Sequence, residues 1–190
     1  MILERESIRL RAIEEKDLEI LWSMMNDPSI EHMTVGKNPP ISKKMQLDWI
    51  LNYKNSENEV RFMVETERKN TIGMVSLTDI DWKNRVATVN YKRDPNAQGR
   101  IKGDMRTAVQ LVVDYAFEEL NLHRLEEYIL SYNEPSLRLA YSVGMKKEGV
   151  LRSRIYKANE YADEVVLGLL KSDWQKERTV NTNSNNVGSV

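Results

Sequence analysis

The chain has 190 residues, 28 basic and 29 acidic side chains, a net charge of −1 and no cysteine. That length holds one domain with a real core, and the balanced charge argues against a protein that coats nucleic acid. The missing cysteine excludes disulfides, thiolate metal sites, iron–sulfur clusters and a cysteine nucleophile, and two histidines, His32 and His123, do not make a multi-histidine zinc site.

The first twenty residues carry charge every few positions, so no signal segment is expected. No stretch approaches the ~18 apolar residues of a membrane span. The expectation is a cytoplasmic protein that avoids membranes and does not bind nucleic acid directly. Ile8, Leu10 and Ala12 alternate with Ser7, Arg9 and Arg11, which predicts a strand with one buried face. Leu18, Ile20, Leu21, Trp22 and Met25 recur at helical spacing behind an acidic first turn, and Asn26-Asp27-Pro28 ends that helix. A second helix follows Pro39-Pro40, capped by Ser42, with Met45, Trp49, Ile50 and Tyr53 on one side.

Residues 61–65, 71–77 and 86–91 read as three strands joined by short polar turns, an antiparallel meander. The longest helix is predicted over 104–120, with Ala108, Leu111, Val112, Tyr115 and Ala116 as its apolar stripe. A strand over 124–132, a short helix over 135–143 ended by Gly144, and strands near 152–157 and 163–170 complete the pattern. Residues 175–190 are polar without periodicity and are expected to be a disordered tail behind a single domain of residues 1–174. The fold class is therefore α+β (mixed α/β), one sheet flanked by helices.

The loop Asn96-Ala97-Gln98-Gly99-Arg100-Ile101-Lys102-Gly103-Asp104-Met105-Arg106 carries the clearest chemistry. It joins a strand to a helix start, where unpartnered N–H groups and the helix dipole favour an anion. Gly99 and Gly103 admit close backbone approach, and Arg100, Lys102 and Arg106 add positive charge suited to a phosphate. It is neither a Walker loop nor a dinucleotide fingerprint.

Taken together, Arg100-x-x-Gly103, the helix ending Asp114-Tyr115-Ala116-Phe117, and Asn133-x-x-Ser136 followed by Gly144-Met145-x-x-Glu148-Gly149 resemble the GNAT family of acetyl-CoA-dependent N-acetyltransferases. The resemblance is to the branch with ribosomal-protein, spermidine and amino-sugar acetyltransferases, and it covers roughly residues 6 to 172. It implies a mostly antiparallel central sheet, splayed where the acetyl-CoA donor sits, and no metal. It also implies that the loop amides at Arg100, Ile101, Lys102, Gly103, Asp104 and Met105 hold the coenzyme A diphosphate. The strand containing Tyr91, Lys92 and Arg93 would pair with the pantetheine arm and polarise the thioester carbonyl. Asn133 and Ser136 would touch the donor. The amine acceptor would approach between the first two helices, where Glu31 and His32 are substrate-side candidates, with Asp79 a further polar candidate. Family members often dimerise, so a homodimer is implied.

Three departures stand out. Ile101 and Met105 occupy positions where the family pattern has small residues, and Asp104 puts a carboxylate beside the diphosphate site. Many members carry a proton-donating tyrosine seven residues after the asparagine; here that position is Ala140, and Tyr141 follows it. Tyr141 is the candidate proton donor. The strand over 86–92 offers no acid to deprotonate the acceptor. Glu118-Glu119 and Glu126-Glu127 read as solvated faces, with an acidic acceptor groove for a polyamine as the alternative; Trp22, Trp49 and Trp82 read as packing residues, as do Met24, Met25 and Met33, whose alternative is the lining of an adaptable pocket. The function expected is direct acetyl transfer to a primary amine. The alternative is a GNAT-like module that binds coenzyme A or a partner without transfer.

Overall fold

The alternation near the start of the chain builds a hairpin, β1 (Leu3–Arg5) against β2 (Ile8–Arg11), with Leu3 opposite Leu10. The computed structural model describes residues 2–36, 39–53, 57–99 and 102–186. A single 3-10 turn, Glu15–Asp17, leads into α1 (Leu18–Asn26). Pro28 does more than stop α1. It starts a second short helix, α2 (Pro28–Met33), where its fixed φ suits the first turn and the Asp27 carboxylate accepts from Ser29 and Ile30 N–H. The helix α3 (Lys43–Asn52) is capped by the Ser42 hydroxyl, which accepts from Met45 N–H at 3.1 Å.

The meander follows as β3 (Val60–Thr66), β4 (Thr71–Asp81) and β5 (Val86–Arg93). After it come α4 (Asp104–Glu118), β6 (Arg124–Leu130), α5 (Glu134–Ser142), β7 (Lys146–Lys157) and β8 (Glu160–Leu170). The eight strands form one sheet in the order β1-β2-β3-β4-β5-β6-β8-β7. Every pairing is antiparallel except β5 with β6, which run parallel.

That parallel pairing holds only at Val86↔Arg124, Ala87↔Leu125 and Thr88↔Glu126. Beyond Thr88 the two strands part, while β5 stays paired to β4 out to Gly73↔Arg93. The sheet is thus open between the far halves of β5 and β6.

Strand alternation sends side chains to two different layers. Phe62, Val75, Leu77 and Val89 face α4 and build the main core with Val109, Val112 and Phe117. Met63 and Met74 face the other way and pack with Leu21, Met24 and Ile50 of α1 and α3. Gly73 marks a close approach: a Cβ there would overlap the Lys92 carbonyl oxygen and crowd Arg93 Cα at 3.1 Å. Gly73→Val is expected to destabilise the fold by about 1–3 kcal/mol, the cost of overpacking against an immobile backbone; urea unfolding measures it.

Residues 175–186 are helical where the sequence predicts a disordered tail; residues 187–190 of that tail lie outside the described residues. The helical stretch continues α6 (Lys171–Asn186), which leaves β8 directly. Few apolar residues are needed because Trp174 does the anchoring: it is buried, sits 5.4 Å from the Phe117 ring, and donates from Nε1 to Asp114 at 2.7 Å. Arg178 stacks over Trp174 at 4.7 Å and pairs with Glu118.

Candidate active site

Where β5 and β6 separate, a cavity of 720 Å³ passes through the sheet. Its lining takes residues from both layers: Val89, Tyr91, Glu127 and Ile129 on one side, and Met74, Ser76, Asn90 and Lys92 on the other. The α1–α3 side is closed by Leu21, Met25, Ile41, Met45, Gln46 and Trp49, with residues 33–36 as a wall. Met25, Met33 and Trp49, expected as packing residues, line this space, and Met45, predicted on the same side of its helix as Trp49, joins them. Asn26 fixes the segment before α3 by exchanging two hydrogen bonds with the Ile41 backbone, at 2.9 and 3.0 Å.

Glu127 is not on a solvated face. It is only 5% exposed, and its Oε2 has no hydrogen-bond partner among the described residues. Burial pushes its carboxyl up to about 8, partly offset by the neighbouring Tyr91 hydroxyl. The Tyr91 hydroxyl donates to the Ser136 carbonyl at 3.1 Å and is itself driven upward by burial and by Glu127. A buried acid with a raised pKa inside a cleft is the signature of a proton-handling group. Sequence reading missed it because paired glutamates usually mark solvent; the clue was its place on a strand whose other odd residues, Leu125 and Ile129, are core.

The loop before α4 is arranged differently from a bare cationic cradle. Arg100 and Ile101 lie outside the described residues. Lys102 is exposed, and Gly103 caps α4 with φ 89° and open space where a Cβ would be. Asp104 is buried and paired to Arg93 at 2.7 Å, so its charge is balanced, and its other oxygen accepts from Met105 N–H at 2.6 Å, which takes up one first-turn amide expected to hold the diphosphate. Met105 is core. Arg106 donates to the Ser142 carbonyl at 3.1 Å and ties α4 to α5.

Asn133 and Ser136 both line the cavity. The Asn133 side chain caps α5, accepting from Ser136 N–H, and donates to the Met33 carbonyl at 2.8 Å. Tyr141 does not join them. It is 46% exposed and absent from the lining, because Ala140 is the residue α5 turns into the core and the next position is rotated about 100° away. Glu31 and His32 also stay out of the cavity. Glu31 pairs with Lys157 at 2.7 Å, and His32 stacks on Tyr132 at 5.1 Å, so both pin α2 to its surroundings. Asp79 is an exposed residue at the irregularity in β4 and does not line the cavity either.

A family model described as an acetyltransferase (GNAT) domain matches residues 7–146. The chain belongs to the GNAT family of acetyltransferases. Among its relatives, the uncharacterised N-acetyltransferase p20 of Bacillus licheniformis is 30% identical over 90% of this chain and 97% of its own length. A spermidine N(1)-acetyltransferase of Vibrio cholerae serotype O1 is 30% identical over 88% of this chain and 95% of its own. A crystal structure of spermidine N-acetyltransferase from Vibrio cholerae, in complex with CoA and spermine, superposes with a TM-score of 0.81 at 27% identity, covering 90% of this chain and 99% of that one. The GNAT chain described here is accordingly an acetyl-CoA-dependent N-acetyltransferase, with the splayed, mostly antiparallel sheet that its sequence implied. None of its described helices is long and apolar enough to cross a membrane.

Proposed function

We propose that this GNAT domain moves an acetyl group directly from acetyl-CoA to a primary amine, with Glu127 as the proton acceptor. The observation that supports this most is the buried, partly unpartnered Glu127 carboxyl set in the opening between β5 and β6. The residues present fit such a donor. The far half of β5 has a strand edge not paired to β6, suited to hold an extended arm by backbone hydrogen bonds. Gly103 leaves the start of α4 open for a diphosphate on the helix N-terminus. Lys102, and Arg100 and Ile101 beyond the described residues, belong to that same anion site. Asn133, Ser136, Tyr91, Arg93 and the backbone of Lys92 border the donor's channel in this reading, while the Lys92 side chain lies on the opposite face of the sheet with Met74 and Asn90.

The donor supplies an activated acetyl thioester. A β5 backbone N–H in the segment around Asn90 polarises its carbonyl and carries the developing negative charge. Glu127 draws a proton from the acceptor ammonium, directly or through one water, so that the nitrogen lone pair can attack carbonyl carbon. As the carbon–nitrogen bond forms and the carbon–sulfur bond breaks, the nitrogen gives up its second proton and the leaving thiolate takes it up, directly or through water. With no cysteine in the chain, the direct route needs no acyl-enzyme.

Because Glu127 must be ionised to accept a proton, kcat/KM is expected to rise with pH until about 8. Isothermal calorimetry with acetyl-CoA, and thiol release with an amine panel, test the proposal. Binding without transfer across the panel would favour the coenzyme A-binding module. Gly103→Glu adds a carboxylate at the α4 mouth and forces a side chain into a positive-φ position. It should weaken acetyl-CoA binding about tenfold or more, which unchanged calorimetric affinity would refute. Self-association, a homodimer in the simplest form, is part of the same reading, supported by a Vibrio cholerae neighbour described as dodecameric; light scattering measures it.

A further inference from the structure

The acceptor half of the cavity is lined by the apolar side chains of Met25, Met45, Met74, Ile41 and Trp49. Among the described lining residues two are cations, Arg61, which pairs with Glu59, and Lys92, which has no ion-pair partner among the described residues; one is a carboxylate, Glu127. Glu127 is no counter-ion near neutrality, since burial keeps it largely protonated up to about 8.

Lys92 is the telling residue. It lies opposite Met74 in the β4–β5 register, and the one hydrogen-bond partner of its Nζ among the described residues is the Met25 thioether sulfur, at 3.5 Å. Burial and the nearby Arg61 hold its ammonium below the usual lysine range. Arg61 pairs with Glu59 at 2.7 Å through one terminal nitrogen, but its Nε is buried with no partner among the described residues. Its guanidinium also sits 6.0 Å from the Trp49 ring. Burying an ammonium without an anion is unfavourable, and the position makes physical sense if a ligand brings the anion. A polyamine would instead set its own ammonium groups against Lys92 and Arg61, where like charges repel.

The spacing narrows the ligand further. Asn90 and Lys92 share one face of β5 and are about 6.6 Å apart along the strand, from ~3.3 Å per residue. An amine at the level of Asn90 and an anionic group reached by the Lys92 side chain then belong to one small ligand.

We infer that the acceptor is a small amino acid with an apolar side chain, its carboxylate on Lys92 with Arg61 behind it and its side chain among Met25, Met45 and Trp49. The amine points through the sheet opening toward Glu127. This rests on the acetyl-transfer reading above and deepens it.

The experiment uses the full chain and four probes: leucine, leucinamide, isoamylamine and spermidine. Calorimetry with acetyl-CoA on the same preparation comes first; no binding would overturn the transfer reading and this inference with it. With acetyl-CoA bound, thiol release should favour leucine over isoamylamine and leucinamide by about tenfold or more in kcat/KM, the scale of one charge-assisted contact. Lys92→Met removes a buried charge at matched length, so folding is not threatened. It should raise the KM for leucine about tenfold and leave that for acetyl-CoA unchanged. Acetyl-CoA binding with no turnover of leucine, a preference for isoamylamine or spermidine, or a Lys92→Met effect confined to the acetyl-CoA KM would each overturn the inference and leave the transfer reading standing.

Discussion

Glu127→Gln is expected to lower kcat/KM by about 10²- to 10⁴-fold, the usual contribution of a positioned proton acceptor, and at the same time to make the protein more stable. Both effects come from the same burial. The carboxyl has a folded-state pKa of about 8 against an ordinary 4.5. Between those values the native state holds a proton that the unfolded chain has released, so native stability falls as pH rises through the window. Below about 4.5 the group costs nothing; above about 8 the penalty is complete. Glutamine does not titrate, so the stability gap over the parent should open from pH ~5 and level off above ~8. At about 1.4 kcal/mol per pKa unit it reaches a few kcal/mol. Urea unfolding at acidic, neutral and alkaline pH, beside thiol-release kinetics, measures both. Full turnover in the variant would remove Glu127 from the chemistry. A stability gap that does not widen with pH would mean that the carboxyl is ionised in the native state.

The second large effect is structural. Arg11→Met should destabilise the domain by about 3–5 kcal/mol, because it strands two buried carboxylates. Arg11 bonds both oxygens of Asp17 at 2.7 Å, Glu65 at 3.0 Å, and also the Ala12 carbonyl and the Thr71 hydroxyl. Asp17 is 1% and Glu65 6% exposed. The group ties β2 and β3 to the turn that launches α1, which in turn walls one side of the cavity. Arg11→Lys should rescue little, since a single ammonium cannot reproduce the fork that spans both acids. Replacing all three residues by apolar ones of similar volume should recover most of the loss. Thermal melts of the three variants check this; an Arg11→Met variant within about 1 kcal/mol of the parent would show that the network is not structural.

Arg11 also shows where sequence reading reached its limit. Alternation correctly put Ile8 and Leu10 on a buried face, but it assigned Arg11 to the solvent side. Alternation distinguishes only the two faces of a strand, and α1 and α3 cover the second face of this sheet. Glu127 was misread for a related reason: its burial depends on α5 and the splayed edge of β5, which are distant in sequence. Local signals were read well wherever the physics is local. The Ser42 cap, the start of α4 at residue 104 and the antiparallel meander depend on neighbours a few residues away. The short β1 strand has too few residues to show a period, and α2 was hidden because Pro28 serves equally as a stop and as a start. Tyr141 was chosen for its residue type, and its place on α5 turns it outward. The loop of Gly99 to Arg106 was found from composition alone, although two of its charges, Asp104 and Arg106, turn out to hold the fold together.

The parting of β5 from β6 after Thr88 has a kinetic consequence. In the acetyl-transfer reading, a cavity lined from both faces of the sheet lets donor and acceptor lie on opposite sides of it. Neither would then have to leave before the other arrives, so initial-rate lines drawn at several concentrations of the second reactant are expected to intersect.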